Sequence, residues 1–479
     1  MIRGFVSMYL PSYPKVLVYM LQSTEYQVEP YLKWFWRTKD FSNVMQRREL
    51  DETKVARMLL MVLRIGIVIQ VLIALALIYL GLWQGLVGGL AFGLAIIVIY
   101  PVLWAHLLIL PLLLGREFKA KPAEKRLIEK SNEIFANHKG TIIAVAGSYG
   151  KTTMKELLAT VTKDYLKVAY TPANKNVSIS HARFAAKLDG DEDLLIIEYG
   201  EGAPGDVSKF ARYTHPNRAI ITGLAPAHLD QYKTLQAAGE DIFSVAENLP
   251  DDQVYVNADS PEVKPFLTRN YRLFDEHGAL GWKVSNVKIS LQGTSFDLKK
   301  GSQAVKLHSG LVGSHQVGYL AFVAALSLEL GLNLDQVKEG ISKTQPFEHR
   351  MQPYQLGGAW IVDDTYNGNL EGIRAGTHLL KDIQAKRKIY VTPGLVDQGE
   401  ESERVHKEVG ELIGNAKPDL VVLMKNSVTE FIESGLKIAK FSGELRIETN
   451  PLDFYTNLNH FVASGDLVVM QNDWTDNYA

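Results

Sequence analysis

The chain contains no cysteine among its 479 residues. That excludes disulfides, thiol nucleophiles and cysteine-ligated zinc together, and it fits a reducing compartment. An excess of either charge is also missing, since 51 basic residues stand against 53 acidic ones. Composition therefore gives no reason to expect a nucleic-acid partner. The length allows two or three domains, each with its own core. Charge is scarce in one region in particular. From Ile65 to Leu82 the sequence IGIVIQVLIALALIYLGL has Gln70 as its only strongly polar side chain.

At about 1.5 Å per residue, eighteen apolar residues just suffice for a hydrocarbon core of roughly 30 Å. After Trp83-Gln84-Gly85 a second apolar run extends from Leu86 to Leu114, interrupted by Pro101 and Pro111. A buried helix of a soluble protein would explain one such run. Two in tandem predict a transmembrane helical hairpin over 61–115. Arg47, Arg48, Lys54 and Arg57 precede it, and Arg116, Lys119, Lys121, Lys125 and Arg126 follow it. Positive charge on both outer flanks places both ends in the cytoplasm. The expectation is a multi-pass protein of the cytoplasmic membrane, with lipid as a partner and its large C-terminal part cytoplasmic. Residues 1–60 read as a juxtamembrane segment. Their aromatics (Tyr26, Tyr31, Trp34, Phe35, Trp36, Phe41) are interleaved with Lys33, Arg37 and Lys39. They either lie at the headgroup level or pack against the hairpin. Arg64 is placed to snorkel, and His106 has no partner visible in the sequence.

Beyond a charged linker, 116–139, strands and helices alternate. Thr141 to Ala146 (TIIAVA) is a β-branched run of the kind buried in parallel sheets. Gly147-Ser148-Tyr149-Gly150-Lys151-Thr152-Thr153 follows, then the helical stretch MKELLATVTKDYL. Strand, glycine turn, Lys-Thr and helix make a phosphate cradle, in which backbone N–H groups and the helix N-terminus face the anion. Lys151 would meet the outer phosphates and Thr152 a magnesium ion. The general P-loop wants glycine where Val145 stands.

The shorter form G-x-x-G-K-T-T is that of the Mur ligases, and from here on the chain resembles that superfamily. Leu194 to Gly200 (LLIIEYG) resembles the family strand whose glutamate, here Glu198, binds magnesium. Arg218 to Gly223 is a strand leading to Ala227-His228-Leu229-Asp230, where the resemblance makes His228 a second metal ligand. Val254 to Asp259 (VYVNAD) resembles a family strand followed by Asn-Ala-Asp, and Gly313-Ser314-His315-Gln316 resembles a nucleotide-side turn, with glutamine replacing an asparagine. Asp363-Asp364-Thr365-Tyr366-Asn367-Gly368-Asn369 is very similar to a segment of the D-alanyl-D-alanine-adding members. There the resemblance puts Asp364 on the nucleotide and Arg350 on its phosphates. Asn369 also reads as the N-cap of a helix starting near Leu370. Pro393 to Ser402 resembles a family loop preceding a helix with a histidine, here His406.

The resemblance covers roughly 140–479 and implies an α/β fold. A P-loop central domain (140–345) and a Rossmann-like C-terminal domain (346–479) would follow the hairpin. It implies an ATP-dependent amide ligase using ATP and Mg2+. A muropeptide carboxylate would be activated as an acyl phosphate and joined to a D-Ala-D-Ala-like amine. Catalysis would fall to Lys151, Glu198, His228 and Arg350. Nucleotide would bind Gly147, Gly150, Lys151, Thr152, Thr153, His315, Gln316, Arg350 and Asp364, and the metal Thr152, Glu198 and His228. Substrate would meet Asn174, Asn176, Tyr366, Asn367 and Asn369.

Three departures stand out. The membrane module replaces the usual uridine-nucleotide domain. Ile242 occupies the position of a lysine that, when carbamylated, bridges two metal ions, leaving Glu240 or Asp241 as substitute carboxylates. The asparagine-rich substrate loop shrinks to Asn174-Lys175-Asn176, and a late Lys-Gly-Ser reads Gln471-Asn472-Asp473. Two other functions stay open: a ligase acting on a lipid-linked muropeptide, and an ATP-binding membrane scaffold without ligation. Nothing in the sequence sets an oligomeric state.

Overall fold

The computed structural model describes residues 2–472, apart from 25, 43, 45–49, 86, 173–174, 226–228, 367, 397 and 399–400. The chain forms two compact units, Met1–Arg126 and Leu127–Ala479.

In the first unit, α1 (Tyr13–Ser23) and α2 (Val28–Arg37) precede two long helices, α3 (Lys54–Gln84) and α4 (Val87–Leu107). Thr53 caps α3 by accepting a hydrogen bond from Ala56 N at 3.1 Å, and Gly85 ends it in the left-handed conformation (φ 66°). The helix thus starts eleven residues before the apolar run. Glycine lets the pair approach closely: a Cβ at Gly93 would lie 2.8 Å from the Ala74 carbonyl oxygen. Gln70 is satisfied within the hairpin, accepting from Trp104 Nε1 at 2.6 Å and donating to Ile96 O at 3.4 Å. By length and composition, α3 and the helical stretch from Val87 are each able to cross a membrane.

The aromatic N-terminal segment packs on this hairpin. Tyr13, Leu17, Tyr31, Phe35 and Phe41 share a cluster with Leu59, Leu63, Ala105 and Leu108. Tyr13 and Tyr31 donate their hydroxyls to the Pro101 and Ala105 carbonyls, each at 3.0 Å. His106 gains a partner in Val102 O at 2.7 Å and packs against Phe35 and Trp36, while Arg64 is exposed. The expected linker 116–139 is instead helical from Arg116 to Ala136.

The second unit holds two sheets. The first contains β1 (Thr141–Ala146), β2 (Val168–Tyr170), β3 (Leu194–Glu198), β4 (Arg218–Ile221), β5 (Val254–Asn257) and β6 (Arg272–Asp275). Strands β7 (Gly278–Ala279), β8 (Trp282–Ser290), β9 (Gly293–Lys300) and β10 (Gln303–Ser309) continue it. Its order is β10-β9-β8-β7-β6-β5-β4-β1-β3-β2, with β1 to β6 parallel and β7 to β10 antiparallel. Side-chain alternation splits the parallel part into two cores. Ile143, Val145 and Ile196 face one core, with Leu157 and Phe322; Ile142, Ala144 and Ile197 face the other, with Phe210 and Ile242.

The second sheet has β11 (Gln352–Leu356), β12 (Ala359–Asp364), β13 (Arg387–Thr392), β14 (Leu420–Met424), β15 (Glu444–Glu448) and β16 (Asp466–Gln471). Its order is β11-β12-β16-β13-β14-β15, parallel except for β11. Helices carrying residues singled out in the sequence include α5 (Lys151–Thr162), α6 (Leu235–Phe243), α7 (Gln316–Glu329) and α8 (Leu370–Asp382), and His406 lies on the helix Ser402–Ala416.

Candidate functional site

A cleft of about 890 Å³ opens at the C-terminal ends of β1 and β3 and takes residues from the loops of both sheets. Open α/β sheets bind ligands at this edge, because the helices that follow the strands point their N-termini there. The turn from β1 into α5 forms one wall. Gly147 (φ 141°) and Gly150 (φ 74°) hold backbone conformations that L side chains rarely adopt. A Cβ at Gly147 would collide with Thr222 Oγ1, and one at Gly150 with the Tyr319 hydroxyl. Tyr319 is fixed in turn by donating to Thr222 O at 3.0 Å.

Helix α5 presents its first residues to the cleft. Lys151 Nζ donates to Gly147 O at 2.5 Å and pairs with the Glu201 carboxylate at 2.7 Å. Thr152 Oγ1 donates to Glu198 Oε1 at 3.1 Å, and Asn176 Nδ2 donates to the same oxygen at 3.4 Å. Thr153 is buried and lines the cleft. One turn further on, Lys155 is fully buried, with Nζ 3.2 Å from Glu198 Oε2 and 2.8 Å from Thr171 O. The Glu198 backbone is pinned too: its N–H donates to Thr171 Oγ1 at 3.0 Å and its carbonyl meets His181 Nε2 at 2.8 Å. Burial holds His181 down to about 4, so that ring is neutral at physiological pH.

The opposite wall brings in His315, Gln316, Arg350, Asp364, Tyr366 and Asn369. His315 Nε2 lies 2.8 Å from Gln316 Nε2, and burial, helped by the charge of His378, lowers its ring to about 4. Gln316 Oε1 is buried, with no hydrogen-bond partner among the described residues. The Arg350 guanidinium lies over the Tyr366 ring at 4.6 Å. Asn369 caps α8, accepting from Gly372 N at 2.9 Å. Across the floor, Asp259 is raised to about 6 by burial, reinforced by the charges of Glu276 and Asp275.

Asp364 accepts from Met351 N at 3.1 Å and from Gln471 Nε2 at 2.6 Å. Burial nonetheless pushes its carboxyl up to about 7, outweighing these two hydrogen bonds and the charge of Arg350. The folded chain thus keeps a proton that an ordinary aspartate sheds near 3.8. The stability this proton supplies is complete below about pH 4 and is lost as pH rises through about 7. Unfolding free energies of wild type and Asp364→Asn, compared between pH 4 and 8, should therefore diverge in the variant's favour as pH rises. A difference that stays flat would overturn this.

Of the candidate site residues, Asn174, His228 and Asn367 lie outside the described residues, as do the flanking Arg47 and Arg48 and the late Asp473. The substitute carboxylates fail to reach the cleft lining. Glu240 is exposed and bonded to Gln236 Nε2 at 2.8 Å. Asp241 accepts from Tyr232 OH at 2.7 Å and Gly205 N at 3.0 Å, while Ile242 is buried core. Sequence reasoning passed over Glu201 and Lys155. The signals were slight: an acid three residues past Glu198, and a lysine one turn past Lys151. Gln471 also binds Gly372 O and Tyr390 OH, and Asn472 binds Gly394 O at 2.9 Å. His406 serves the fold, accepting from Leu395 N at 2.9 Å.

For a divalent cation the fit is good. Thr152 Oγ1 and the Glu198 carboxylate offer adjacent hard oxygens, the donor type magnesium takes. Glu198 Oε2 is buried and faces the Lys155 ammonium, which keeps this carboxylate ionised and able to hold a cation.

Residues 145–327 match the Mur ligase middle domain. A UDP-N-acetylmuramoyl-tripeptide--D-alanyl-D-alanine ligase of Escherichia coli (strain K12) is 27% identical over 288 residues, covering 59% of this chain and 64% of that protein. The enzyme of that name from Mycobacterium bovis is 27% identical over 284 residues, 57% of this chain and 56% of its own. The chain thus spans about three-fifths of the length of these curated relatives. Among solved structures, MurF ligase from Thermotoga maritima in complex with ADP aligns with a TM-score of 0.64 at 22% identity, over 73% of this chain and 80% of that one. Mycobacterium tuberculosis folylpolyglutamate synthase, complexed with ADP and AMPPCP, gives 0.55 at 14% identity, over 72% and 92%. At these identities the structural likeness is one of fold.

Proposed function

We propose, from a chain whose residues 145–327 match the Mur ligase middle domain, that the cleft binds ATP and uses it to form an amide bond. The bond joins a muropeptide carboxylate to the amine of a D-alanyl-D-alanine-like dipeptide. One observation carries this reading. The glycine turn with Lys151, the Thr152–Glu198 pair, and Arg350 with Asp364 all line one cleft. The names of the curated relatives and the ADP held by a fold neighbour support the same chemistry.

The γ-phosphoryl group passes to an oxygen of the substrate carboxylate, giving ADP and an acyl phosphate. The amine attacks the acyl carbon, the C–O bond to phosphate breaks, and the amine sheds a proton. Such chemistry needs alignment and charge neutralisation, with no protein nucleophile. The turn's N–H groups and Lys151 hold the phosphates. Arg350, steadied on Tyr366, meets them from the second sheet, and Gln316 and Asp364 orient the nucleoside. Thr152, Glu198 and His228 would hold Mg2+, which when bound neutralises phosphate charge. Residues 140–345 and 346–479 act as two domains that shield the acyl phosphate from water.

A second reading is favoured by the two apolar helices. The chain would lie in the cytoplasmic membrane as a multi-pass protein with its catalytic part cytoplasmic, and the acceptor would be a lipid-linked muropeptide. Phosphate release by purified protein separates these readings. Release should require ATP, an acceptor and D-Ala-D-Ala together. Turnover with soluble uridine-nucleotide acceptors supports the first reading, and turnover with lipid-linked ones alone supports the second. ATP binding without release for either acceptor would overturn both and leave an ATP-binding scaffold.

A further inference from the structure

For a place that receives a triphosphate, the cleft is rich in acid. Among the described residues, seven carboxylates line it against three lysine and arginine side chains. Five of these acids have no part in the proposed reaction, and one of the five, Glu201, meets the phosphate-turn lysine. Glu201 follows β3 by three residues, its side chain is 5% exposed, and its two oxygens lie 2.8 and 2.7 Å from Lys151 Nζ. The Lys151 ammonium is therefore engaged by Glu201 and by Gly147 O. A phosphate that takes Lys151 has to displace that carboxylate.

The displaced carboxylate needs a new counter-charge, because an unpaired ionised group at this depth is strongly disfavoured. The other lysine of the site cannot supply it: Lys155 is already shared among Glu198, Glu156 and Thr171 O. The same cleft is lined by the hard-oxygen pair of Thr152 and Glu198, Thr152 following Lys151 directly in the chain. Resting on the reading of the cleft as an ATP site, we propose that Glu201 exchanges partners. It pairs with Lys151 until a triphosphate claims that ammonium, and then becomes a ligand of the divalent cation that accompanies the nucleotide. Nucleotide and metal binding are thereby coupled through a single carboxylate. The exchange is one of ion pairs, and no covalent bond is made or broken.

The test is Mn2+ binding to the full-length protein, followed by electron paramagnetic resonance, together with ADP affinity at fixed Mn2+. Without nucleotide, Lys151→Met frees Glu201 and should tighten Mn2+ binding by about tenfold, within the usual range for coupled sites. The double variant Lys151→Met/Glu201→Gln should return to the wild-type value, which separates the Glu201 ligand from a general loss of positive charge. Independently, Glu201→Gln should cut the Mn2+ enhancement of ADP affinity by about tenfold. Any Mn·ADP complex formed in solution contributes equally to wild type and variant. Unchanged Mn2+ affinity in Lys151→Met and unchanged enhancement in Glu201→Gln, with ADP still binding, overturn the exchange and leave the ATP reading standing. If wild-type protein binds no ADP with any divalent cation, the ATP reading itself has failed.

Discussion

Replacing Lys151 with alanine should lower phosphate release from ATP by about 10³-fold, the scale seen when a preorganised charge aimed at a reacting group is removed. The ammonium sits at the mouth of the glycine turn, only 11% exposed, where low dielectric makes its charge count for more than in water. The same substitution leaves Glu201 buried without its partner, so part of any loss could come from unfolding. Breaking a buried pair costs about 3–5 kcal/mol, whereas removing both partners is close to neutral. Lys151→Ala/Glu201→Gln should therefore regain most of the lost stability without regaining activity. Measuring turnover and urea unfolding on both variants separates the two effects. Turnover at the wild-type rate in folded Lys151→Ala would remove the phosphate-turn assignment.

Lys155→Met should destabilise the protein by about 3–5 kcal/mol, the cost of leaving a buried charge without its partner. Lys155 and Glu198 have side chains 0% and 2% exposed, and their charged atoms are 3.2 Å apart. Methionine fills the stem's volume but leaves Glu198 as a buried anion facing Thr152 and Asn176. Those groups hydrogen-bond it without neutralising it. Adding Glu198→Gln should recover a large part of the loss, giving a coupling of more than about 1 kcal/mol in a double-mutant cycle. Strictly additive effects of the two substitutions on chemical denaturation would show that the pair is not what holds Lys155.

Much of the second unit was legible because buried parallel strands announce themselves as short β-branched runs. Thr141–Ala146 has in the structure the limits read from sequence, and the strands read from Leu194 and from Arg218 each end two residues earlier than read, at Glu198 and Ile221. Strands β8 to β10 were missed. Sequences such as KVSNVKIS and GTSFDLKK are polar and half exposed, so they give neither a continuous run nor a strong alternation. The glycine turn, Glu198, Arg350 and Asp364 were found through motifs, and they share one cleft. Lys155 was not found, since a lysine in the second turn of a helix ordinarily points to solvent and its burial depends on the strands around it. Glu240 and Asp241 were favoured by closeness in sequence to Ile242. Helix geometry instead turns the first outward and the second toward Tyr232.

Tyr319 bears on how any ligand would settle in the cleft. Its hydroxyl fills the space beside Gly150, while Thr222 and Gly223 back the turn from the other side. The cradle is thus set before anything arrives, and little backbone freedom is lost on binding. Differences in affinity among phosphate-bearing ligands should then reside mainly in how fast they leave rather than in how fast they dock.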